Sequence, residues 1–224
     1  MIWSSAKQHV RTWLRAVQLR RAIARIAALP LATVPDRSDL VALRDAWSNP
    51  GFAAVEEYLE EVARRAAAAR TGVLECGSGV TTILAGLLAG RRGVPVWSLE
   101  HDPVWLERLS HTIARFRIPG VHLCHAPLVD RGDYAWYQVP ADLPPRFDLV
   151  VCDGPPGSTP GGRYGLLPVV GDRLGADCLI LLDDTARVEE SDALRRWRTE
   201  FKVAVDFGAR PGGSYALVTR PALQ

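Results

Sequence analysis

From Gly72 onward the chain alternates short apolar runs with helical stretches, and no other feature restricts its fold so strongly. The runs are VLEC from Val73, VPVWSLE from Val94, VHLCHA from Val121, FDLVVCD from Phe147 and CLILLDD from Cys178. None alternates apolar with polar residues, so each strand must be covered on both faces, as in a parallel sheet wound with helices. Two further runs, KVAVDF from Lys202 and SYALVT from Ser214, are joined by only GARPGG. That connection is too short for a crossover helix and predicts an antiparallel hairpin at the sheet edge. The expected fold is α/β: a doubly wound seven-stranded sheet, mostly parallel, ending in an antiparallel hairpin.

Upstream of the sheet, residues 4–28 read as an amphipathic helix with Val10, Trp13, Leu14, Val17 and Ile23 near one side, closed by Pro30 and Pro35. Further helices are expected around Leu40 to Trp47 and Phe52 to Ala69, separated by the turn Ser48-Asn49-Pro50-Gly51. The chain divides on this reading into a helical extension, 1–50, and one domain, 51–224. With 224 residues, 48% of them hydrophobic, it can bury a proper core.

Charge is unevenly placed. Residues 1–35 carry Lys7, Arg11, Arg15, Arg20, Arg21 and Arg25 and no acid, so a net charge of +2 for the whole chain leaves the remainder at −4. An arginine-rich helix with tryptophan suits an anionic membrane or nucleic acid, yet such helices more often pack on their own domain or on a sister subunit. Packing of the N-terminal helices on their own domain, or on a sister subunit to give a homo-oligomer, is therefore the expectation. The charge-free run Cys76 to Gly90 is too short for a membrane span, and arginines interrupt the N-terminus where a signal peptide would be apolar. A cytoplasmic protein without an integral membrane segment is expected. Cys76, Cys124, Cys152 and Cys178 are widely spaced and lack metal-ligand spacing, which fits small thiols in a reducing compartment.

Open α/β sheets bind ligands beyond the carboxyl ends of their strands. There the chain has VLECGSGVTT, Val73 to Thr82. Gly77 and Gly79 let the backbone bend sharply around a ligand, with Ser78 in the bend and Thr81 and Thr82 opening the next helix. A dinucleotide motif would need a third glycine at Thr82, and Glu75 would bring negative charge to a pyrophosphate. A ligand combining a cationic amino-acid group with adenosine suits Glu75 better, directly or through water. S-adenosyl-L-methionine is such a ligand, and Glu100, at the end of the next strand, is placed to accept both ribose hydroxyls.

On these residues the chain resembles the class I S-adenosylmethionine-dependent methyltransferases over about residues 50 to 220. The segments LECGSGVTT, WSLEHDPVW, FDLVVCDGPPG, GGRYGLLPV and LILLDDTAR resemble more narrowly a bacterial methyltransferase group with little functional definition. The resemblance implies that Glu75, Gly77 and Gly79 contact the methionine part, with Ser78 and Thr81 beside them. It also implies that Glu100 holds the ribose with His101 adjoining, that Ala126, Pro127 and Leu128 lie by the adenine, and that Asp153 lies at the sulfonium end.

Methyl transfer needs an aligned nucleophile and, for a hydroxyl, help with deprotonation. Asp153, Asp183 and Asp184 end neighbouring strands, and three carboxylates at one rim suit Mg2+, which would lower the pKa of a coordinated hydroxyl. The pattern is similar to metal-dependent catechol-type O-methyltransferases, although Asp184 stands where those have Asn and Pro156 where they carry a lysine. Two readings stay open: a metal site, or Asp153 orienting substrate without metal while Asp183 or Asp184 caps the following helix. His101 and His125 are the spare bases, either of which could serve instead as a supporting hydrogen-bond partner.

Tyr134, Trp136 and Tyr137 could wall an acceptor pocket or pack their loop onto the body. The loop Gly154 to Gly162 is a candidate lid, and Arg163 and Arg187 are candidates for contacting an acidic substrate. Amino methyltransferases of nucleic acids carry two prolines and an aromatic directly after the strand-four acid or amide. Here Gly154 intervenes and Gly157 replaces the aromatic, so no nucleic-acid partner is expected. The expected activity is S-adenosylmethionine-dependent O-methylation of a small molecule, assisted by Mg2+ on the metal reading. An aminopropyl transferase and a non-catalytic cofactor-binding scaffold are the alternatives.

Overall fold

The computed structural model describes residues 2–48, 54–208 and 215–220, with side chains from residue 10 onward. Three helices open the chain: α1 (Ile2–Ala28), α2 (Arg37–Trp47) and α3 (Glu56–Ala68). Helix α2 starts three residues earlier than its apolar pattern suggests, because the Asp36 carboxylate caps it by accepting the Asp39 N–H at 2.9 Å. The expected turn at Asn49–Gly51 and the expected helix start at Phe52 lie outside the described residues.

The β/α part follows as β1 (Val73–Cys76), α4 (Val80–Leu88), β2 (Val96–Glu100), α5 (Pro103–Phe116), β3 (Val121–His125), β4 (Leu128–Asp130), β5 (Ala135–Tyr137), β6 (Phe147–Cys152), α6 (Leu166–Val170), β7 (Leu174–Leu182), α7 (Val188–Glu200), β8 (Ala204–Gly208) and β9 (Tyr215–Thr219). Seven strands form one sheet in the order β3-β2-β1-β6-β7-β9-β8. The first five run parallel, and β9 is antiparallel to both β7 and β8, as the short connection requires. Sequence order reverses between β1 and β6, leaving a crevice at their carboxyl ends.

The unalternated strands are explained by two cores. Val73, Val96, Leu149, Val151 and Leu181 face a cluster built with α1 to α4, while Leu74, Cys76, Val150, Cys152, Ile180 and Leu182 face one built with α6 and α7. Successive residues of β1 and β6 thus enter opposite layers, both dry. Asp148 ties the start of β1 to β6: its carboxylate accepts the backbone N–H groups of Arg70, Thr71 and Gly72 at 2.7–3.0 Å.

The segment after β3 is not an open loop. Leu128 to Asp130 pairs antiparallel with Ala135 to Tyr137, and Trp136 and Tyr137 are fully buried there. Burial of the two successive bulky aromatics Trp136 and Tyr137 supplies the reason for strand rather than coil. No helix among the described residues is long and apolar enough to cross a membrane.

Candidate active site

At the β1–β6 crevice lies a cavity of about 500 Å³, lined among others by Gly77, Ser78, Gly79, Thr81, Glu100, His101, Trp105, Tyr137, Asp153, Arg163, Asp183 and Asp184. Its floor is a backbone contact. Cys76 and Cys152 are register partners, and beyond them the N–H groups of Asp153 and Gly154 both donate to the Cys76 carbonyl, at 3.0 and 2.7 Å. Gly77 has φ +84°, and a Cβ there would stand 2.8 Å from Gly154 N. Gly154 in turn has no room for a side chain against Tyr137 and Gly77. The two glycines are back-to-back for steric reasons that no other residue satisfies.

Gly79 differs. Its φ of 171° is ordinary extended backbone, and nothing lies within 4 Å of where a Cβ would be. The open space belongs to the cavity, so protein packing does not require glycine at this position.

Glu75 stands beneath the bend and does not border the cavity, so of the two contacts expected, direct or through water, its position does not offer the direct one. Its Oε2 accepts the hydroxyls of Thr82 at 2.5 Å and Ser98 at 2.6 Å, and Thr82 Oγ1 accepts the Gly79 N–H at 2.9 Å. The carboxyl therefore organises the bend from below, while its Oε1 is buried without a partner. Burial, opposed by those hydroxyl hydrogen bonds, pushes its pKa up to about 7. Glu100 does line the cavity. It accepts the Ser78 N–H at 3.1 Å and the Ser78 hydroxyl at 2.7 Å, with the Asp102 N–H on its other oxygen at 2.9 Å.

His101 borders the cavity with Nδ1 3.0 Å from Glu100 Oε1. His125 is exposed at the end of β3 and lies away from the cavity, so it cannot serve as a base there. Ala126, Pro127 and Leu128 also stand outside the cavity: Ala126 is buried against Glu100 through its N–H, and the chain then turns into the β4–β5 hairpin. The cavity is bordered instead by His101, Asp102 and Trp105, whose indole N–H donates to the Ser78 carbonyl at 2.7 Å. Of the three aromatics at 134–137, only Tyr137 lines the cavity. Trp136 fills the space over Gly165, and Tyr134 packs edge-on against Tyr164.

Asp153, Asp183 and Asp184 do come together, each offering an oxygen within 4.8 Å of the others. Among them lies Arg163, 1% exposed. Its Nη2 bonds Asp184 Oδ2 at 2.8 Å and the Asp153 carbonyl at 2.5 Å, and stands 3.3 Å from Asp153 Oδ1; its Nη1 donates to the Asp183 carbonyl. Arg187 meets Asp184 Oδ2 at 2.9 Å, and the fully buried Glu190 lies 3.8 Å from Arg163 Nε. A guanidinium is always charged and cannot yield its place by losing a proton. Two of the three carboxylates expected for Mg2+, those of Asp153 and Asp184, are thus already paired with a fixed cation, an arrangement that does not suit a divalent ion; Arg163 meets Asp183 only at its carbonyl. Nor does Arg163 reach out to an acidic substrate; the acids hold it inside.

Burial, with the charge of Asp184, raises Asp153 to about 6 against the opposing pull of Arg163. Burial and the charges of Asp153 and Asp184 raise Asp183 to about 8. Sequence reading missed Arg163 as a structural cation, although an arginine inside the glycine and apolar stretch GGRYGLLPVV is a visible sign of a buried partnered charge. It also missed Trp47 and Trp105, 5.8 Å apart edge-to-face at the cavity rim, with Arg108 against both rings.

No protein-family model and no curated protein matches the chain. Solved structures are similar to it. A ribosomal protein L11 methylase from Lactobacillus delbrueckii subsp. bulgaricus is 15% identical with a TM-score of 0.53, covering 77% of this chain and 83% of that one. The SAH-bound methyltransferase PaMTH1 of Podospora anserina is 16% identical with a TM-score of 0.56, covering 84% and 88%. The METTL16 MTase domain is 12% identical with a TM-score of 0.57, covering 84% and 82%. The fold is that of the class I methyltransferases.

Proposed function

We propose that the chain is an S-adenosylmethionine-dependent methyltransferase acting on a hydroxyl of a small molecule without a metal. The observation that carries this reading is one cavity bordered by a glycine bend, a strand-end glutamate and a strand-end aspartate. A volume of about 500 Å³ lies within the range of small-molecule sites, and the space beside Gly79 is a cradle that a Cβ would fill.

In this reading the Gly77–Gly79 backbone receives the aminoacyl part, Glu100 the ribose hydroxyls, and His101 with Trp105 the base. When bound, the cofactor supplies an electrophilic methyl carbon on a sulfonium. Asp153 faces that end of the cavity and accepts the proton of the acceptor hydroxyl as general base. Arg163 holds the Asp153 carboxylate in place and keeps it ionised, the office a metal would otherwise fill by charge. Tyr137 and Trp105 exclude water from the same space.

Mass-spectrometric assay of hydroxylated metabolites with S-adenosylmethionine tests the proposal. Asp153→Asn is expected to lower kcat by roughly 10²–10⁴-fold while leaving cofactor affinity within a few-fold. Wild-type kcat/KM should rise with pH through about 6, as Asp153 loses its proton. Undiminished turnover by the variant, or a requirement for added Mg2+, would overturn the reading.

A further inference from the structure

Helix α1 has two apolar faces rather than one. At about 100° per residue, Ala22, Ile23 and Ile26 point to one side, while Val10, Trp13, Leu14 and Val17 point roughly to the opposite side. The first set is buried in the core. Of the second, Val10 is 56%, Trp13 64% and Leu14 45% exposed, with Val17 half-buried. Arg20 and Arg21, both exposed, continue along the flanks of this second stripe. Its charge is one-sided, since residues 1–35 hold six basic residues and no acid.

We propose that the N-terminal half of α1 docks on an anionic lipid surface, seating Val10, Trp13 and Leu14 among the headgroups and Arg20 and Arg21 against the phosphates. An apolar stripe with tryptophan, flanked by arginines, is the composition that lies in a bilayer interface. Charge complementarity selects this occupant over a second copy of the chain. A two-fold contact through α1 would set the same arginines against one another, with no acid in the segment to pair them. Anionic lipid neutralises Arg20 and Arg21, the two exposed arginines flanking the stripe, each for about 1 kcal/mol.

The test is co-sedimentation of the full chain with vesicles of phosphatidylcholine plus phosphatidylserine, against vesicles of phosphatidylcholine alone, at low and high salt. The chain should sediment with the mixed vesicles only, and salt should release it. Arg20→Gln/Arg21→Gln should weaken binding roughly thirtyfold, two charges at about 1 kcal/mol each. Trp13→Ser/Leu14→Ser should weaken it at least about tenfold by losing apolar burial. Both variants replace exposed side chains, so their unfolding midpoints and cofactor affinities should match the parent chain. Absence of binding to mixed vesicles, or equal binding by either variant, overturns the proposal. So does binding to duplex DNA in place of vesicles, or a dimer in light scattering that Trp13→Ser/Leu14→Ser converts to monomer.

Discussion

Asp153 and Arg163 act as one unit, and the local energetics follow from their burial. Removing the cation in Arg163→Met leaves Asp153 and Asp184 facing each other, which should cost about 3–5 kcal/mol in denaturant unfolding. It should also move the rise in kcat/KM to higher pH, because the charge that favours ionised Asp153 is gone. Glu75 yields a separate prediction with a definite sign. Its folded pKa of about 7 lies above its ordinary value, so the native state keeps a proton that the unfolded chain releases from about pH 4.5 upward. Its contribution to stability is complete at low pH and is lost as pH rises toward 7. Glu75→Gln has no such proton, so relative to wild type it should gain on the order of 1–3 kcal/mol between pH 5 and 8, read from chemical unfolding at each pH.

Elements meet at the glycine bend, where two glycines of one motif have different reasons for being glycine. Gly77→Ala forces a Cβ to 2.8 Å from Gly154 N at φ +84°, pushing apart the turns after β1 and β6. It should destabilise the fold by more than about 2 kcal/mol and abolish ligand binding as well. Gly79→Ala meets no protein atom, so its unfolding midpoint should be close to wild type while affinity for S-adenosylhomocysteine in calorimetry falls at least about tenfold. Equal affinity in Gly79→Ala would show that no ligand uses the cradle. The bend itself was legible, since strand, glycines and helix start are local. Which glycine is required by packing depends on Gly154, far away in sequence, and so was not.

Across the whole molecule, the N-terminal helices and the sheet share one core. Ile26, fully buried, belongs to the same cluster as Leu88, Val96 and Leu149. Ile26→Ala should therefore cost about 2–5 kcal/mol and shift a single cooperative transition; a separate early transition for α1 would show that the helices fold independently. By itself the sequence determined the sheet and its terminal hairpin, because strand patterning and connection length are short-range properties that leave few alternatives. It likewise marked Gly77, Gly79, Glu100 and Asp153 as strand-end residues of the crevice. Only the tertiary structure decided that Glu75 works beneath the bend, that His125 and residues 126–128 stand outside the cavity, and that Arg163 occupies the centre of the acidic cluster. Each of those depends on which residues distant in the chain compete for one small volume, where burial makes a fixed guanidinium and its carboxylates settle their charges together.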